Sequence, residues 1–404
     1  MNGDPETRPR ILLGVTVAKS LILMRGLPEL LLANGWDVHV VSSPGPGLDD
    51  LTSRGISVHP LSMAREPSPA QDLRSLLAWR AVVRDIQPDV VFSGTPKAGL
   101  LGMLAGRLAR VPVRIYHLRG LRLETATGWR RHLYGVVERI AIGASTSTLS
   151  VSKSLSDRVV ALGLGASDRI TVLGSGSSNG VDLAQFSPGG PDPELQRHLG
   201  IDPSIPVIGF VGRLAADKGA RELIEASKTI ARRGLHHQLL VVGEVEDQGV
   251  LDQFLDLKSA GVPVVLAGHV VDSAPYYRLM TLFCLPTYRE GFPNVVLEAT
   301  ASGVCVVTTD ATGARDSVVD GESGVIVPVR DAPSLALAFI EILMHREKRE
   351  DLARAGRERT AAEFGRHRVQ ESTIEFLARA TRATQACQRG VTPSGESAPR
   401  ERRN

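Results

Sequence analysis

The stretch LPTYREGFPNVVLEATASG, residues 285–303, combines the end of an apolar strand, a polar loop and a helical pattern. The strand is predicted over residues 282–286, and Pro293 is a favourable first residue for the helix that follows. We expect this helix to run through Glu298 and to stop at Gly303. Its N-terminus carries unpaired backbone N–H groups beside the loop, which makes it a suitable binding site for a phosphate.

The same alternation of strand and helix extends along nearly the whole chain, in two series. Strands are predicted over residues 11–17, 38–42, 58–61, 90–93, 113–118 and 148–151, and then over 207–211, 238–242, 264–267, 282–286, 304–308 and 325–328. In the first series, helices are predicted over residues 21–34, 71–86, 98–110, 129–143 and 155–162. Strands that alternate with helices build parallel sheets covered on both faces. We therefore expect an α/β protein with two doubly wound domains.

A Gly/Ser/Pro-rich stretch over residues 174–193 separates the two series and is predicted to be a linker. The first domain is then expected over residues 1–180 and the second over residues 181–365. A ligand is expected in the cleft between them, at the carboxyl ends of the strands. The last residues, 386–404, have almost no apolar content and are expected to be disordered.

Composition excludes several classes of protein. Of the 404 residues, 43% are hydrophobic and 23% are charged, as in an ordinary globular protein. No run of about 18 apolar residues is present, so we expect no membrane-spanning helix. The first residues, MNGDPETRPR, lack an apolar signal core, and three scattered cysteines are too few for a disulfide scaffold or a thiolate zinc site. We therefore expect a cytoplasmic protein.

Charge is divided unevenly between the two halves of the chain. Residues 1–180 hold 21 Lys and Arg against 14 Asp and Glu, whereas residues 181–404 hold 26 against 30. Residues 97–139 alone hold nine basic and two acidic residues. The net charge of +3 therefore conceals a basic first half, which indicates either an anionic partner or a solvated basic face.

Two groups of side chains in the second half could hold a nucleotide. Glu290 precedes the predicted helix and Glu298 lies inside it, so the two carboxylates could reach different parts of one elongated ligand. Arg213 and Lys218 follow the strand predicted over residues 207–211, where two cations beside backbone N–H groups would neutralise a diphosphate. Taken singly, each of these residues could instead be an ordinary surface charge.

In combination, these residues resemble the motifs of the family 4 retaining glycosyltransferases, which are nucleotide-sugar enzymes of the GT-B fold. The second-half motifs are EGFPNVVLE at 290–298, GRLAADKG at 212–219, VVGEVED at 241–247, AGHVVD at 267–272 and TTDATGARDSVVDGESGVIVPVRD at 308–331. The first-half motifs are SPAQDL at 68–73, TPKAGLLG at 95–102 and SNGVDLAQFSP at 178–188. These first-half motifs resemble the branch that builds capsular, exopolysaccharide or O-antigen-type repeat units on lipid carriers.

The resemblance covers most of residues 10–380 and implies a fold, a reaction and a set of partners. Two Rossmann-like domains would face each other across a cleft, and a helix over residues 366–385 would return to the first domain. The reaction would be retaining transfer of a sugar, for which we expect an N-acetylhexosamine, from a UDP-sugar. The acceptor would be a lipid-linked saccharide of the polyprenyl phosphate type or another glycan.

The resemblance also implies a role for each matching residue. Glu290 would contact hydroxyls of the donor sugar, and Glu298 would contact those of the ribose. The diphosphate would be held by Arg213, Lys218, Gly291, Phe292, Pro293, Asn294 and Val295. The base, usually uracil in this branch, would lie against Val242, Gly243, Glu244, His269 and Val270. Such enzymes need no metal or other cofactor, and the sequence has neither an Asp-x-Asp pair nor a clustered ligand set.

One position departs from the family pattern. Family members commonly carry His-Gly at the end of the strand that here reads RIYHLRGL, residues 114–121. In this chain Arg119 precedes Gly120, and His117 lies two residues earlier. Strand alternation places His117 and Arg119 on the same face, so either could point into the cleft and act in catalysis. His117 could equally be an ordinary half-buried histidine.

The basic window over residues 97–139 supplies the candidate acceptor-binding residues Lys97, Arg122, Arg130 and Arg131. They alternate with Trp, Tyr and Leu, which suits an anionic membrane surface or a lipid-linked diphosphate. Nucleic acid is disfavoured because only 4% of residues are aromatic and no known nucleic-acid module is present. We therefore expect peripheral association with the inner face of the cell membrane. The oligomeric state is not indicated.

Three other functions are open at this stage. A non-hydrolysing UDP-sugar epimerase has the same architecture but would need no acceptor. A catalytically inactive scaffold of a polysaccharide assembly complex would not need the intact set of Glu and cationic residues. A dinucleotide oxidoreductase is poorly supported, because no G-x-G-x-x-G follows the first strand.

Overall fold

The computed structural model describes residues 8–64 and 68–388. The strands of this part of the chain form two sheets, and every pair of adjacent strands is parallel. The first sheet contains β1 (Arg10–Val17), β2 (Asp37–Ser43), β3 (Ser57–Pro60), β4 (Val90–Ser93), β5 (Val113–Leu118), β6 (Ser147–Ser150) and β7 (Ile170–Val172). The second contains β8 (Val207–Val211), β9 (Gln238–Val242), β10 (Val264–Gly268), β11 (Leu282–Leu285), β12 (Cys305–Thr309) and β13 (Val325–Val327).

Helices alternate with these strands. The first domain contains α1 (Leu27–Ala33), α2 (Leu48–Ser53), α3 (Pro69–Ile86), α4 (Pro96–Leu108), α5 (Gly128–Ala144) and α6 (Lys153–Ala161). The second contains α7 (Pro193–Leu199), α8 (Ala220–Arg232), α9 (Gln248–Ser259), α10 (Ala274–Tyr277), α11 (Asn294–Ala301), α12 (Ala332–Met344) and α13 (Arg346–Glu363), and α14 (Arg366–Gln388) follows. Short 3₁₀ segments lie at Ala18–Met24, Arg122–Glu124, Ser167–Arg169 and Ala216–Lys218.

Strand order confirms the expected pair of doubly wound domains. It is β3-β2-β1-β4-β5-β6-β7 in the first sheet and β10-β9-β8-β11-β12-β13 in the second. In each sheet the order reverses at one point, between β1 and β4 and between β8 and β11. Parallel sheets of this kind bind ligands in the crevice that opens at the carboxyl ends of the strands beside such a reversal.

The last helix returns to the first domain, as the resemblance implied. At the crossing, the backbone N–H of Val181 donates to the carbonyl of Phe364 at 2.9 Å, and the N–H of Arg366 donates to the carbonyl of Val181 at 2.9 Å. Further along α14, Ile374 and Leu377 are buried in the core of the first domain. The two segments that connect the domains are therefore hydrogen-bonded to each other.

The structure corrects several predicted elements. The helix predicted over residues 21–34 is a 3₁₀ segment followed by α1, because Pro28 fits only the first turn of a helix. The strand β7 and the helices α2 and α7 were not predicted, and α7 begins at Pro193, the last residue of the predicted linker. The tail predicted from residue 386 begins too early, since α14 continues to Gln388. Its remaining residues, 389–404, lie outside the described residues.

A helix that crosses a bilayer needs about 18 or more predominantly apolar residues. None of the helices within residues 8–64 and 68–388 has both the length and the apolar character of a membrane span.

Candidate active site

Lys218 and Glu290 meet where the strand order of the second sheet reverses. Lys218 ends the 3₁₀ segment after β8, and Glu290 lies in the loop after β11. The Nζ atom of Lys218 donates a hydrogen bond to Oε1 of Glu290, and both side chains are less than one-fifth exposed. The two loops are also joined by the backbone N–H of Tyr288, which donates to the carbonyl of Asp217 at 2.9 Å. The structure thus brings together two residues that are 72 positions apart.

Glu298 lies in the second turn of α11, beside a tyrosine that sequence analysis did not identify. The hydroxyl of Tyr277 donates to Oε2 of Glu298 at 2.8 Å. Burial raises the pKa of Glu298 above its ordinary value, and the hydrogen bond from Tyr277 opposes that rise. The carboxylate is therefore held in a fixed position, with its ionisation sensitive to the Tyr277 hydroxyl.

The residues predicted to frame the base lie at the carboxyl ends of β9 and β10. Val242 is buried at the end of β9, whereas His269 is exposed and Val270 is half-buried after β10. The backbone N–H of Gly243 donates to the carbonyl of Gly268 at 2.8 Å, which holds the two strand ends together.

The cationic side chains at this end of the cleft form ion pairs with carboxylates. Nη1 of Arg213 donates to Oε2 of Glu246, and Nζ of Lys19, from the first domain, lies 2.7 Å from Oε2 of Glu244. Together with the Lys218–Glu290 pair, these contacts neutralise three cations with three carboxylates.

The loop predicted to hold the diphosphate touches the first domain. Gly120 and Gly291 pass so closely that a Cβ atom on Gly291 would overlap the carbonyl oxygen of Arg119. Nearby, Nε of Arg289 donates to Oγ1 of Thr125 at 2.9 Å. The end of β5 therefore abuts the loop that begins α11, across the cleft.

His117 and Arg119 both reach the linker, but their surroundings differ. The His117 ring is buried, packs 4.9 Å from the ring of Phe92, and lines a cavity of about 40 Å³ between the linker and α14. Burial, with a further contribution from Arg119, lowers the pKa of His117 well below its ordinary value. Nη1 of Arg119 donates to Oγ of Ser178 at 2.5 Å, and burial lowers the pKa of Arg119 to about 9.

Within the part of the chain that the structure describes, three buried polar atoms of the predicted site have no hydrogen-bond partner. They are Nδ1 of His117, Nε of Arg119 and Oδ1 of Asn294. Buried polar atoms in native proteins are nearly always paired with protein groups or water. Their grouping in residues of the predicted site indicates hydrogen-bonding capacity that a ligand or ordered water would satisfy. The rest of the predicted diphosphate loop contains Phe292 and Pro293, which are buried, and Val295, which is half-buried.

The candidate acceptor residues lie in two environments. Lys97 is only 11% exposed in its side chain, and its Nζ atom lies 2.6 Å from Oδ1 of Asp72. Arg122 stacks over the ring of Tyr134 at 5.0 Å. Arg130 and Arg131 are exposed on α5. Lys97 is therefore held within the first domain, whereas the two α5 arginines face outward.

The exposed face of α5 is also apolar. Trp129, Val136 and Ile140 are 70%, 51% and 44% exposed. Their spacing along the helix places them on one side. This side of α5, which we call the α5 stripe, consists of Trp129, Val136 and Ile140. Arg130 stacks over the ring of Trp129 at 5.7 Å, whereas Arg131 is turned about 200° from Trp129 around the helix.

Sequence analysis missed four residues that belong to the site or its contacts: Lys19, Ser178, Tyr277 and Arg289. Ser178 lies within a motif that was identified, and Lys19 is the second residue after the strand predicted over residues 11–17. Tyr277 had no local signal, because its role depends on a carboxylate 21 residues later. For metals, the described residues contain no group of three or more His, Cys, Asp or Glu that could hold an ion.

Comparison with known proteins places this arrangement among sugar-transferring enzymes. Residues 205–345 match the family described as "Glycosyl transferases group 1", and residues 23–176 match the one described as "Glycosyl transferase 4-like domain". The chain is 39% identical over 351 residues to the capsular polysaccharide biosynthesis glycosyltransferase CapM of Staphylococcus aureus. This match covers 87% of this chain and 92% of that protein.

Two other similarities are informative. The chain is 25% identical over 323 residues, 78% of this chain and 82% of the relative, to an Escherichia coli enzyme named UDP-Gal:alpha-D-GlcNAc-diphosphoundecaprenol alpha-1,3-galactosyltransferase. The fold of this chain matches that of HepE from Anabaena, which was solved in complex with UDP and glucose. The TM-score is 0.75 and the sequence identity is 18%, and the match covers 91% of this chain and 99% of HepE.

Proposed function

Because the chain belongs to the family 4 glycosyltransferases and has the GT-B fold, we propose that it transfers a sugar from a UDP-sugar to a lipid-linked saccharide. The reaction would serve the assembly of a capsular or related surface polysaccharide, with an N-acetylhexosamine as the preferred donor sugar. The observation that carries the proposal is the Lys218–Glu290 pair. It lies at the reversal point of the second sheet and beside the loop that begins α11.

The relatives support the choice of substrates. The S. aureus relative is named for capsular polysaccharide, and the E. coli relative is named for a UDP-sugar donor and a diphosphoundecaprenol acceptor. The Anabaena protein was solved with UDP and glucose. A UDP-sugar donor and a lipid diphosphate acceptor are therefore the first substrates to test.

In the proposed site, different residues bind the ribose, the diphosphate and the sugar of the donor. Glu298, fixed by Tyr277, would accept hydrogen bonds from the ribose hydroxyls. Arg213 and Lys218 would exchange their carboxylate partners for the diphosphate, together with the backbone N–H groups at the start of α11. Glu290, released from Lys218, would accept hydrogen bonds from the sugar.

The reaction would then proceed with little covalent participation by the protein. The bond between the anomeric carbon and the β-phosphate oxygen breaks, and its electron pair moves onto the departing diphosphate. Fixed cations and N–H groups stabilise this developing charge. The acceptor hydroxyl attacks the face that the diphosphate leaves, and its proton passes to that diphosphate, so that the anomeric configuration is retained. We include independence from metal ions in this proposal.

For the position where family members commonly carry histidine, we favour Arg119 over His117. Burial keeps His117 neutral and places it against Phe92 and the small cavity beside α14. Arg119 is followed by Gly120, which abuts Gly291 of the diphosphate loop. A cation there would stabilise charge on the departing or the acceptor phosphate.

The α5 stripe supports peripheral attachment to an anionic membrane. Trp129 and its apolar neighbours are exposed, Arg130 stacks over the ring of Trp129, and Arg131 is exposed elsewhere on the same helix. Aromatic and aliphatic side chains next to arginine suit the boundary between lipid head groups and acyl chains. Attachment by this helix would present a lipid-linked acceptor to the first domain.

The experiment that tests the proposed function measures UDP release from a panel of UDP-sugars, with and without lipid-linked saccharide acceptors, in buffer containing EDTA. We expect release that requires both one UDP-sugar and the lipid-linked acceptor. Conversion of the UDP-sugar without an acceptor would identify an epimerase instead. No turnover with any pair, in a protein that is folded, would favour a scaffold.

A further inference from the structure

Lys19 joins the two domains on the nucleotide side of the cleft. It lies in the 3₁₀ segment Ala18–Met24, directly after β1 and therefore at the reversal point of the first sheet. Its Nζ atom lies 2.7 Å from Oε2 of Glu244, which follows β9 in the second domain. A side chain at one reversal point thus reaches across to the loop that is predicted to frame the base.

The Lys19–Glu244 ion pair is exposed. The side chains of Lys19 and Glu244 are 73% and 53% exposed. Ion pairs of such exposure contribute little to stability, because water screens the charges and both side chains lose freedom. The pair is therefore too weak to hold the two domains together. Lys19 can leave Glu244 for a more strongly charged anion with little loss of free energy.

Glu244 and Arg213 belong to one rigid unit. The backbone N–H of Leu214 donates to the carbonyl of Glu244 at 2.9 Å, and a Cβ atom on Gly243 would overlap the carbonyl of Gly212. Arg213 is itself paired with Glu246 of the same loop. Lys19 and Arg213 are thus both held by carboxylates of the loop over residues 243–247. The hydrogen bond from Lys19 lowers the pKa of Glu244 most, followed by the charge of Lys19, with smaller contributions from the charges of His269 and Arg213.

A diphosphate competes well for such cations. Lys binds phosphate as a flexible point charge, and a diphosphate carries more negative charge than one carboxylate. The four-carbon stem of Lys19 allows its ammonium group to move from Glu244 toward a ligand held by Arg213.

We propose that Lys19 is a donor-binding residue supplied by the first domain, and that it exchanges Glu244 for the diphosphate of the nucleotide donor. This inference rests on the proposed donor site. It adds a cation from the opposite domain, so that the diphosphate would be contacted from both sides of the cleft. Binding of the donor would then favour the closed arrangement of the two domains directly.

The test compares UDP with uridine as ligands for the full chain, by isothermal titration calorimetry. Lys19→Gln is expected to weaken UDP binding by about tenfold, the effect of about 1.4 kcal/mol, and to leave uridine binding unchanged. The matched control is Lys348→Gln, because Lys348 forms a similar exposed pair with Glu341 at 2.6 Å on α12 and α13. This control is expected to bind UDP as the wild type does.

Other outcomes would overturn the proposal in distinguishable ways. If Lys19→Gln binds UDP as tightly as the wild type, or loses UDP and uridine affinity equally, Lys19 does not contact the diphosphate, and the proposed function stands. If the wild type binds neither UDP nor GDP nor ADP, the donor site itself is wrong and the assignment of Lys19 fails with it. If GDP or ADP is the ligand, the same comparison is made with guanosine or adenosine.

Discussion

The Nζ atom of Lys218 donates a hydrogen bond to Oε1 of Glu290, and this bond joins the ends of the neighbouring strands β8 and β11. Both side chains are largely shielded from water, at 14% and 18% exposed. In the proposed reaction Lys218 binds the diphosphate, and Glu290 accepts hydrogen bonds from the sugar. The pair therefore holds both groups in place before the donor arrives.

Replacing Lys218 with Met removes this cation and is expected to lower turnover by about 100-fold or more, because a fixed charge no longer stabilises the departing diphosphate. UDP release from the preferred donor measures the effect. Lys228→Met is the control, since Lys228 forms a comparable pair with Glu225 at 2.9 Å on α8. Equal activity of the two variants would show that Lys218 has no part in the reaction.

Replacing Tyr277 with Phe removes the hydroxyl that donates to Glu298. That hydrogen bond lowers the pKa of Glu298 against the effect of burial, so its loss raises the pKa further. If Glu298 must be ionised to bind UDP, affinity for UDP falls as Glu298 becomes protonated at low pH. Because the pKa of Glu298 is higher in the variant, its affinity should begin to fall at a higher pH than that of the wild type. Calorimetric titrations with UDP across pH measure the shift, with Tyr276→Phe as the control. An unchanged pH profile would contradict the assignment of Glu298.

Replacing Gly291 with Ala places a methyl group against the carbonyl oxygen of Arg119 in the other domain. The clash is relieved if the domains separate, so we expect a loss of turnover of about 100-fold with little loss of stability, because a shift of about 1 Å in a site is sufficient for that effect. Turnover and the unfolding temperature are measured together. Gly190→Ala is the control, because no atom of the described residues outside its immediate neighbours lies within 4 Å of a Cβ at that position. Unfolding of the Gly291 variant, or full activity, would contradict the predicted contact.

Glu138 supplies a prediction about stability and pH. It is buried in α5, accepts a hydrogen bond from the hydroxyl of Tyr116 at 2.8 Å, and burial raises its pKa to about 7. The folded state then holds a proton that the unfolded state releases near pH 4.5, so folding stability falls as pH rises from about 4.5 to about 7. The loss is on the order of 3 kcal/mol.

Glu138→Gln keeps an oxygen for Tyr116 and removes the titrating group, so its stability should depend less on pH over this range. Urea unfolding at pH 5 and pH 8 measures the difference, and the variant is expected to exceed the wild type at pH 8. Glu347→Gln, on the exposed surface of α13, is the control. Identical slopes for the wild type and the Glu138 variant would refute the prediction.

The α5 stripe predicts binding to anionic vesicles. Removing both charges in Arg130→Gln/Arg131→Gln should weaken binding to phosphatidylglycerol-containing vesicles by about tenfold or more, since each such arginine contributes about 1 kcal/mol. Binding of the wild type should weaken with salt. Arg232→Gln/Arg233→Gln, two adjacent exposed arginines of the second domain, is the control. Equal binding of the two double variants, or none by the wild type, would count against membrane attachment through α5.

Local patterns explain why so much of the fold could be predicted from sequence. The strand, loop and helix over residues 285–303 form a local unit, whose apolar run and Pro293 determine its shape. The missed elements are short: β7 has three residues and α2 has six, so neither is long enough to repeat its hydrophobic period twice. The pattern predicts helix for the 3₁₀ segment before α1, because the two kinds of helix have apolar residues at similar spacing.

The site was less predictable because its contacts join distant parts of the chain. Alternation along β5 correctly relates His117 to Arg119, but the direction in which each points depends on α14 and the linker. The basic window predicts Lys97 as an acceptor-binding residue, but its ion pair with Asp72 depends on a residue 25 positions earlier. The Lys19–Glu244 contact spans 225 residues and two domains, and no local pattern encodes it.

The central claim is that this site transfers a sugar from a nucleotide donor to a lipid-linked acceptor with retention. Its most direct test is ¹H NMR of the purified product, which reports the configuration at the new anomeric carbon, alongside the amount of UDP released. We predict one UDP released for each sugar added, and an α-linked product from an α-configured UDP-sugar. A β-linked product, or UDP released without any sugar on the acceptor, would contradict the account.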